Sequence, residues 1–299
     1  MRTDWAAIPA EWAARVVWAP DTVSTMPASN TPGAPSPFPT VANFRDLGHW
    51  AGDGGRVVAP GALYRANDFA TLDDDDRAGL SGLGLRTVID LRTEVERNGT
   101  PDPSFPGATE LVLDVLADAG GQALPANLGA VLADPKVAQQ MSEQLTPESA
   151  RTIMTGNYRD FIDLESAQRS FRGFFSHLLG DAPVPTLFHC TTGKDRTGWA
   201  AATFLSVLGV DRADVYREYL LTNDRLVPAL RPIFDNFAAA GGNPDLLQPL
   251  LGVEAQYLDA AFARVDEEFG SLEQYLTEVL DVDAQAREEL RARYLVDRA

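Results

Sequence analysis

The residues of this chain that could do chemistry are concentrated in one segment, which also holds its only cysteine. Residues 186–204 read TLFHCTTGKDRTGWAAATF, so an apolar run gives way to small and charged residues and then to an alanine-rich run. That change of character predicts a buried strand, a loop over residues 191–196 and a helix from about Thr197. Cys190 then lies at a strand-to-helix turn, where it could be a small buried hydrophobe or a nucleophile.

The spacing of the loop residues suits attack of a thiolate on phosphorus. Backbone N–H groups at the N-terminus of a helix stabilise a thiolate, and the same groups bind a phosphate dianion. Gly193 would let the loop turn without placing a Cβ in the path of the anion. Arg196, six residues after Cys190, can offer a planar fork to two phosphate oxygens, and the hydroxyl of Thr197 can donate to the sulfur. We therefore interpret Cys190 as a nucleophile beside a phosphate-binding loop.

Three blocks of sequence resemble a known family. The pattern Cys-x5-Arg-Thr preceded by His is typical of cysteine-dependent phosphatases, and HCTTGKDRTG resembles the bacterial tyrosine phosphatase family whose loop reads His-Cys-x-x-Gly-Lys-Asp-Arg-Thr. NFRDLGH (43–49) is similar to that family's Asn-Phe-Arg-Asp-Leu-Gly-Gly motif, with His49 in place of the last glycine. A third block occurs in the same order as in the family and consists of LYRANDF (63–69), VIDLRTEVER (88–97) and PD (101–102). The resemblance covers about residues 43–102 and 155–295.

The resemblance implies an enzyme, a cysteine-dependent and metal-independent protein-tyrosine phosphatase that works through a phosphocysteine intermediate. Phosphotyrosine is the expected substrate, and phosphoserine, phosphothreonine and phosphoinositides follow because the family's matching lysine is associated with dual protein and phosphoinositide activity. Inorganic phosphate is the expected product, and neither a metal nor an organic cofactor is implied. The loop residues expected to contact the substrate are Thr191, Thr192, Gly193 and Lys194.

Two carboxylates compete for the role of general acid, which must protonate the departing oxygen from within hydrogen-bond reach. Asp90 ends a predicted buried strand at the sheet edge where ligands of α/β folds gather, and by resemblance it is the first choice. Asp195 lies inside the loop and is the alternative, although it could instead only buttress Arg196. A salt bridge of Asp90 with Arg92 or Arg65 is the alternative role for this residue, and it would argue against Asp90 as the general acid.

Two further residues are expected to support the loop. His189 precedes the cysteine and is expected to order the loop through hydrogen bonds and to help tune the thiol, rather than to act as a base; a structural core histidine is the alternative. Arg45, in the NFRD block, is expected to brace the loop. A direct contact of Arg45 with substrate is the second interpretation.

Alternating strand and helix patterns surround these motifs and predict an α/β fold. Apolar β-branched runs and 3.6-residue apolar periods predict strands over 85–92, 109–115 and 184–190, and helices over 71–84 and 158–178. The chain after residue 197 reads as helical throughout. These patterns imply a central, mainly parallel sheet flanked by helices, with a C-terminal helical portion.

The proline distribution suggests where the catalytic domain begins. Five prolines fall within residues 25–40, so residues 1–40 are predicted to be an N-terminal arm and linker, and residues 41–299 a single catalytic domain. Residues 116–150 are interpreted as a variable excursion from it. Residues 222–252 are broken by Gly-Gly-Asn-Pro and could close over the site as a lid or pack as an ordinary helical subdomain.

Composition and charge exclude several classes of protein. A formal net charge of −18 over 299 residues argues against a nucleic-acid partner. The sequence has no run of about 18 apolar residues and no basic, then apolar, N-terminal signal. With a single cysteine, these features predict a cytoplasmic protein without a transmembrane segment. Three histidines and one cysteine offer no zinc site.

Other uses of an anion-binding loop are less well supported by the residues. A P-loop nucleotide hydrolase is excluded because Asp195 follows Gly193-Lys194 where Ser or Thr is needed, and Phe188 stands where the first glycine would be. A pseudophosphatase that binds phosphorylated partners without turnover stays as an alternative, although the Cys, Arg and Thr are intact. A rhodanese-type sulfurtransferase is the second alternative, and the Arg-Thr pair favours phosphate over it.

Overall fold

A five-stranded sheet carries the predicted loop on one of its central strands. The structure, a computed structural model, describes residues 31–120, 131–181 and 184–298. The strands in this part of the chain are β1 (Arg45–Asp46), β2 (Val57–Val58), β3 (Leu63–Ala66), β4 (Thr87–Asp90), β5 (Thr109–Val112), β6 (Thr186–His189) and β7 (Leu295–Val296). The large sheet has the order β1-β3-β6-β4-β5. Its last four strands are parallel and β1 is antiparallel to β3, which confirms the predicted α/β class.

Helices cover the sheet and continue to the C-terminus. They are α1 (Asp74–Gly82), α2 (Glu94–Gly99), α3 (Pro135–Gln144), α4 (Pro147–Asp163), α5 (Glu165–Leu179), α6 (Arg196–Val207), α7 (Arg212–Ala229), α8 (Arg231–Ala239), α9 (Leu247–Leu251), α10 (Ala255–Phe269), α11 (Leu272–Glu278) and α12 (Ala284–Tyr294). None of the described helices is long and apolar enough to cross a bilayer.

The apolar stripe of α5 anchors the core beneath the loop. Phe171, Phe174, Phe175 and Leu178 have the i, i+3, i+4, i+7 spacing of one helix face, and all are buried. The ring of Phe174 packs edge-on against Phe188 of β6, with 5.1 Å between centroids. Because β6 is fixed by this packing, the loop that follows it starts from a rigid strand.

The chain departs from the predicted elements in three places. The helix predicted over 158–178 is two helices, because Leu164 is extended and the backbone N–H of Ser166 donates to the carboxylate of Asp118 at 2.9 Å. The prediction of helix to the end is wrong, since β7 pairs antiparallel with β2. The predicted arm also reaches the body before residue 41, because Phe38 is buried in a cluster with Phe44. Residues 1–30 of that arm and 121–130 of the predicted excursion lie outside the described residues.

Candidate active site

The loop between β6 and α6 spans residues 190–195, one residue earlier at each end than the predicted 191–196, and packs tightly on the end of β3. Cys190 is 1% exposed and begins the loop directly after β6. Gly193 has φ +65, and a Cβ there would lie 2.2 Å from the carbonyl oxygen of Ala66. The approach of the loop to β3 therefore requires glycine at this position, a reason that the sequence does not reveal.

The carbonyl groups of the loop are held from outside. The side chain of Asn43 donates to the carbonyl oxygens of Thr192 at 2.9 Å and Gly193 at 3.0 Å, and Nη2 of Arg65 donates to the latter at 2.7 Å. The backbone N–H groups of residues 191–195 find no acceptor among the described residues. A row of such N–H groups in a loop that leads into a helix forms a binding site for an anion.

Arg196 is fixed by a carboxylate that the sequence analysis did not single out. Its Nη1 and Nη2 donate to the two oxygens of Glu96 at 2.8 and 2.7 Å, and Nη1 also lies 3.4 Å from the carbonyl of Leu91. These contacts leave Nε–H and the second Nη2–H without an acceptor in the described part of the chain, so one side of the guanidinium fork is available to two phosphate oxygens. Burial opposes ionisation of Glu96, but the hydrogen bonds and charge of Arg196 outweigh it and lower the pKa of Glu96 to about 2.

The position of Glu96 follows from a local signal in the sequence. Thr93 and Glu96 form a capping box at the start of α2, in which each side chain accepts from the other residue's backbone N–H. The same carboxylate then receives Arg196 and the hydroxyl of Thr191. The pattern Thr-x-x-Glu after a strand could have located the start of α2. It could not have shown that Glu96 pairs with Arg196 from the loop.

Asp195 is bound by two donors and borders a cavity. Nζ of Lys194 lies 2.8 Å from both oxygens of Asp195, and the hydroxyl of Tyr158 donates to Oδ1 at 3.0 Å. The side chain of Asp195 is 18% exposed, whereas that of Lys194 is 1% exposed. In the structure Lys194 is therefore an ion-pair partner of Asp195 at the edge of the cavity.

Asp90 is enclosed by its own neighbour in the chain. Its carboxylate has no exposed surface and accepts from Nε and Nη2 of Arg92, at 2.9 and 2.7 Å, and from the backbone N–H of that residue. Burial opposes ionisation, but Arg92 and His189 outweigh it and hold the pKa of Asp90 below its ordinary value. The geometry supports the salt bridge that the sequence analysis set against a proton-donating Asp90.

His189 links the start of the loop to a further carboxylate. Its Nε2 lies 2.8 Å from Oδ2 of Asp102, and its Nδ1 lies 3.3 Å from the carbonyl oxygen of Cys190. Burial opposes the charged ring, but Asp102 and Asp90 outweigh it and raise the pKa of His189 above its ordinary value. These contacts fit the predicted ordering of the loop, and His189 is fully buried.

Arg45 lies behind the loop rather than in it, which corrects the prediction of a substrate contact. It is 1% exposed, and its Nε donates to Glu218 of α7 at 2.6 Å. Arg65 donates to the other oxygen of Glu218 at 2.6 Å, and it is Arg65 that reaches the loop. The bracing role expected of Arg45 is thus indirect, through Glu218 and through its hydrogen bond to Asn43.

One group of potential metal ligands occurs in the described residues, and a protein cation already occupies it. The ligand atoms of Asp90, Asp102 and His189 lie within 4.8 Å of one another. Arg92 donates to both carboxylates and is buried with them, so the donor set is satisfied by a guanidinium. The hydroxyl of Thr197, by contrast, is buried and finds no partner among the described residues, the sulfur of Cys190 included, so its donation to the sulfur stays a prediction.

An apolar cavity of about 550 Å³ opens at the loop. One end is formed by Lys194, Asp195 and Arg196. The remaining wall is mostly aliphatic and aromatic and includes Leu116, Met154, Phe161, Leu247, Leu250 and Leu251. The last three of these belong to the segment predicted as a possible lid, which therefore lies beside the site.

Comparison with known proteins places the chain in a family. A model of the tyrosine phosphatase family matches residues 36–296, which is most of the sequence. The chain belongs to this family. The match includes the loop, Glu96 and the cavity-lining residues named above, and it confirms the protein-tyrosine phosphatase predicted from the sequence. The substrate class that goes with it is a phosphorylated molecule.

Individual relatives of this phosphatase cover most of its length. A candidate tyrosine-protein phosphatase of Cupriavidus necator is 35% identical over 258 residues, 86% of this chain and 87% of its own. The triple specificity protein phosphatase PtpB of Mycobacterium tuberculosis is 33% identical over 264 residues, 80% of this chain and 91% of its own. The crystal structure of P. aeruginosa TpbA aligns with 75% of this chain at 16% identity and a TM-score of 0.30, so the family assignment rests on the sequence relatives.

Proposed function

We propose that this phosphatase hydrolyses phosphomonoesters through a phosphocysteine on Cys190, with aryl esters such as phosphotyrosine as its preferred substrates. The observation that carries the proposal is the set of donors around the cysteine. All of them belong to the loop or to the first residue of α6. They are the N–H groups of residues 191–195 and one side of the Arg196 fork, and none has an acceptor in the described residues. Such an array suits the three oxygens of a phosphoryl group in transfer.

The reaction has two displacements at phosphorus. The thiolate of Cys190 attacks and the bond from phosphorus to the ester oxygen breaks. Asp195, which has to take up a proton before this step because it is paired with Lys194 in the structure, gives that proton to the departing oxygen. Asp195 then takes a proton from water as that water attacks the phosphocysteine, and the thiolate leaves with phosphate. The free hydroxyl of Thr197 donates to the departing sulfur.

Asp195 is preferred over Asp90 as the general acid because of where each carboxylate lies. Both carboxylates are paired with a cation, Asp195 with Lys194 and Asp90 with Arg92, but Asp195 borders the cavity, whereas Asp90 does not and has no exposed surface. A proton donor has to reach the leaving oxygen, directly or through one water. Asp90 is then a structural partner of Arg92.

The apolar cavity favours an aromatic leaving group. The group attached to the ester oxygen must lie beside Asp195, where the wall is mostly aliphatic and aromatic. A phenyl ring buries its faces favourably there, while a polyhydroxylated inositol ring would lose hydrogen bonds to water. Phosphoserine, phosphothreonine and phosphoinositides are proposed as secondary substrates, with Lys194 as the group that contacts additional negative charge. The name of the mycobacterial relative, a triple specificity phosphatase, is in line with this range.

The mechanism is tested with p-nitrophenyl phosphate in the presence of EDTA, with vanadate as inhibitor. Cys190→Ser should abolish turnover and keep the binding of vanadate, because the loop donors are untouched. Undiminished activity in that variant would refute the mechanism. Binding of phosphopeptide without any turnover in the wild type would favour a pseudophosphatase, and turnover of thiosulfate with cyanide a sulfurtransferase.

Substrate range is tested with a panel of phosphopeptides and phosphoinositides on the wild type and on Lys194→Ala. The proposal expects phosphotyrosine peptides to be the best substrates, and a selective loss on phosphoinositides in Lys194→Ala. Equal loss on every substrate would show that Lys194 acts only through Asp195.

Two further assignments remain proposals. We propose that residues 222–252, which contribute Leu247, Leu250 and Leu251 to the cavity wall, act as a helical lid on a single catalytic domain. A cytoplasmic location stays a prediction that is based on the single cysteine.

A further inference from the structure

We propose that Tyr158 of α4 is the positioning residue of the general acid, and that Tyr219 of α7 completes the device. The inference rests on the proposed role of Asp195. It names a part of the site that lies outside the loop and outside every motif of the sequence analysis.

The hydrogen bonds form a short chain from the core to the loop. The hydroxyls of Tyr158 and Tyr219 are 2.7 Å apart, and the hydroxyl of Tyr158 lies 3.0 Å from Oδ1 of Asp195. Both tyrosines are fully buried. The arrangement has one consistent order of donors: Tyr219 donates to the oxygen of Tyr158, and Tyr158 donates to the carboxylate.

The side chain of Tyr158 is better suited than that of Lys194 to hold a carboxylate in one position. A lysine side chain has a flexible stem of four carbons and a charge that a substrate anion can attract, whereas a tyrosine has two rotatable bonds. The ring of Tyr158 is also packed against Phe161 and Tyr257, with centroids 5.1 and 5.9 Å away. Burial, and then the charge of Asp195, raise the pKa of Tyr158 well above its ordinary value, so its hydroxyl stays a donor.

The consequence concerns which oxygen of Asp195 handles the proton. Oδ1 accepts from both Tyr158 and Lys194, whereas Lys194 is the only described residue that contacts Oδ2. With Oδ1 held by a rigid donor, Oδ2 is the atom that carries the proton to the leaving oxygen and takes it back from water. Because transfer needs heavy atoms within about 2.6–3.2 Å, loss of this restraint reduces proton transfer without removing the acid.

The test compares two substrates that differ in their need for an acid. Phenyl phosphate releases a phenol with a pKa near that of tyrosine, about 10, and depends on protonation. p-Nitrophenyl phosphate releases a much more acidic phenol and depends on it little. In Tyr158→Phe we expect kcat/KM to fall about 10-fold on phenyl phosphate and to stay within about twofold on p-nitrophenyl phosphate.

A matched control and a second variant separate positioning from packing. Tyr257→Phe removes a hydroxyl from the same aromatic group, one that donates to the carbonyl of Pro249 and not to Asp195, so both substrates should be unaffected. Tyr219→Phe should give a smaller loss, about threefold, on phenyl phosphate alone, because Tyr158 keeps its bond to Asp195.

A double-mutant cycle assigns the effect to Asp195. Asp195→Asn should lower kcat/KM on phenyl phosphate about 100-fold, and adding Tyr158→Phe to it should change the substrate ratio no further. Equal losses on both substrates in Tyr158→Phe, or an undiminished effect in the Asp195→Asn background, would overturn the positioning role. If Asp195→Asn itself shows no dependence on the leaving group, the proposed general acid fails first and the inference with it.

Discussion

At the scale of single residues, the catalytic arginine depends on one acid. Glu96 uses both oxygens on Arg196 while it also caps α2 and accepts from Thr191. The pair is nearly fully buried, so removal of either side chain leaves the charge of the other buried without a partner of opposite charge. The position at which α2 starts in the chain therefore contributes to the orientation of Arg196.

We expect Glu96→Gln to lower kcat/KM by about 10- to 100-fold, because one charged hydrogen bond of the fork is lost and the guanidinium is no longer held in place for phosphate. The free energy of unfolding should fall by about 2–3 kcal/mol. Steady-state kinetics and urea denaturation check both values. Glu94→Gln is the control, because Glu94 is on the same helix and exposed. Unchanged kcat/KM in Glu96→Gln would show that Arg196 is oriented by the loop alone.

At the scale of elements, the sequence predicts what is local and misses what is brought in by other elements. The strand, loop and helix around Cys190 are predicted by the composition of one segment. The same segment predicts the phosphate donors, which are the loop N–H groups and Arg196. Glu218 and Tyr158 reach the site from α7 and α4, and no spacing along the chain relates them to the loop. The sequence does predict the salt bridge of Asp90 with Arg92 as an alternative, because the two residues are only two positions apart in the chain, although the strand ends at Asp90.

The turn after β1 offers a test at the same scale. His49 stands where the family motif has glycine, and it has φ 71, so the turn keeps a left-handed conformation that a Cβ disfavours by about 1–2 kcal/mol. His49→Gly should raise the free energy of unfolding by about 0.5 kcal/mol, since the greater freedom of glycine in the unfolded chain offsets part of the gain.

His49→Ala is the control for that variant, because it removes the imidazole and keeps the Cβ. Thermal and urea denaturation should show no stabilisation in His49→Ala. A gain of equal size in both variants would assign the effect to the ring rather than to the backbone.

At the scale of the whole molecule, the charge of the protein opposes its substrate. The formal net charge is −18, while the cations at the loop are paired, Lys194 with Asp195 and Arg196 with Glu96. An approaching phosphate dianion therefore meets a repulsive field at long range and finds favourable donors only inside the loop. The net charge should therefore affect the rate of substrate association, and with it kcat/KM, rather than the rate of the chemical step.

We expect salt to change the preference between peptides. Raising ionic strength from about 0.01 to about 0.15 M shortens the Debye length from about 30 to about 8 Å, which screens the repulsion of an acidic phosphotyrosine peptide and the attraction of a basic one. kcat/KM should rise about two- to threefold for the acidic peptide and fall for the basic one, while kcat stays constant for both. A phosphotyrosine peptide with neutral flanks is the reference, and because only its phosphate group is repelled, its kcat/KM should rise less than that of the acidic peptide. Faster turnover of the acidic peptide at low salt would mean that a local positive surface, and not the net charge, governs the approach of the substrate.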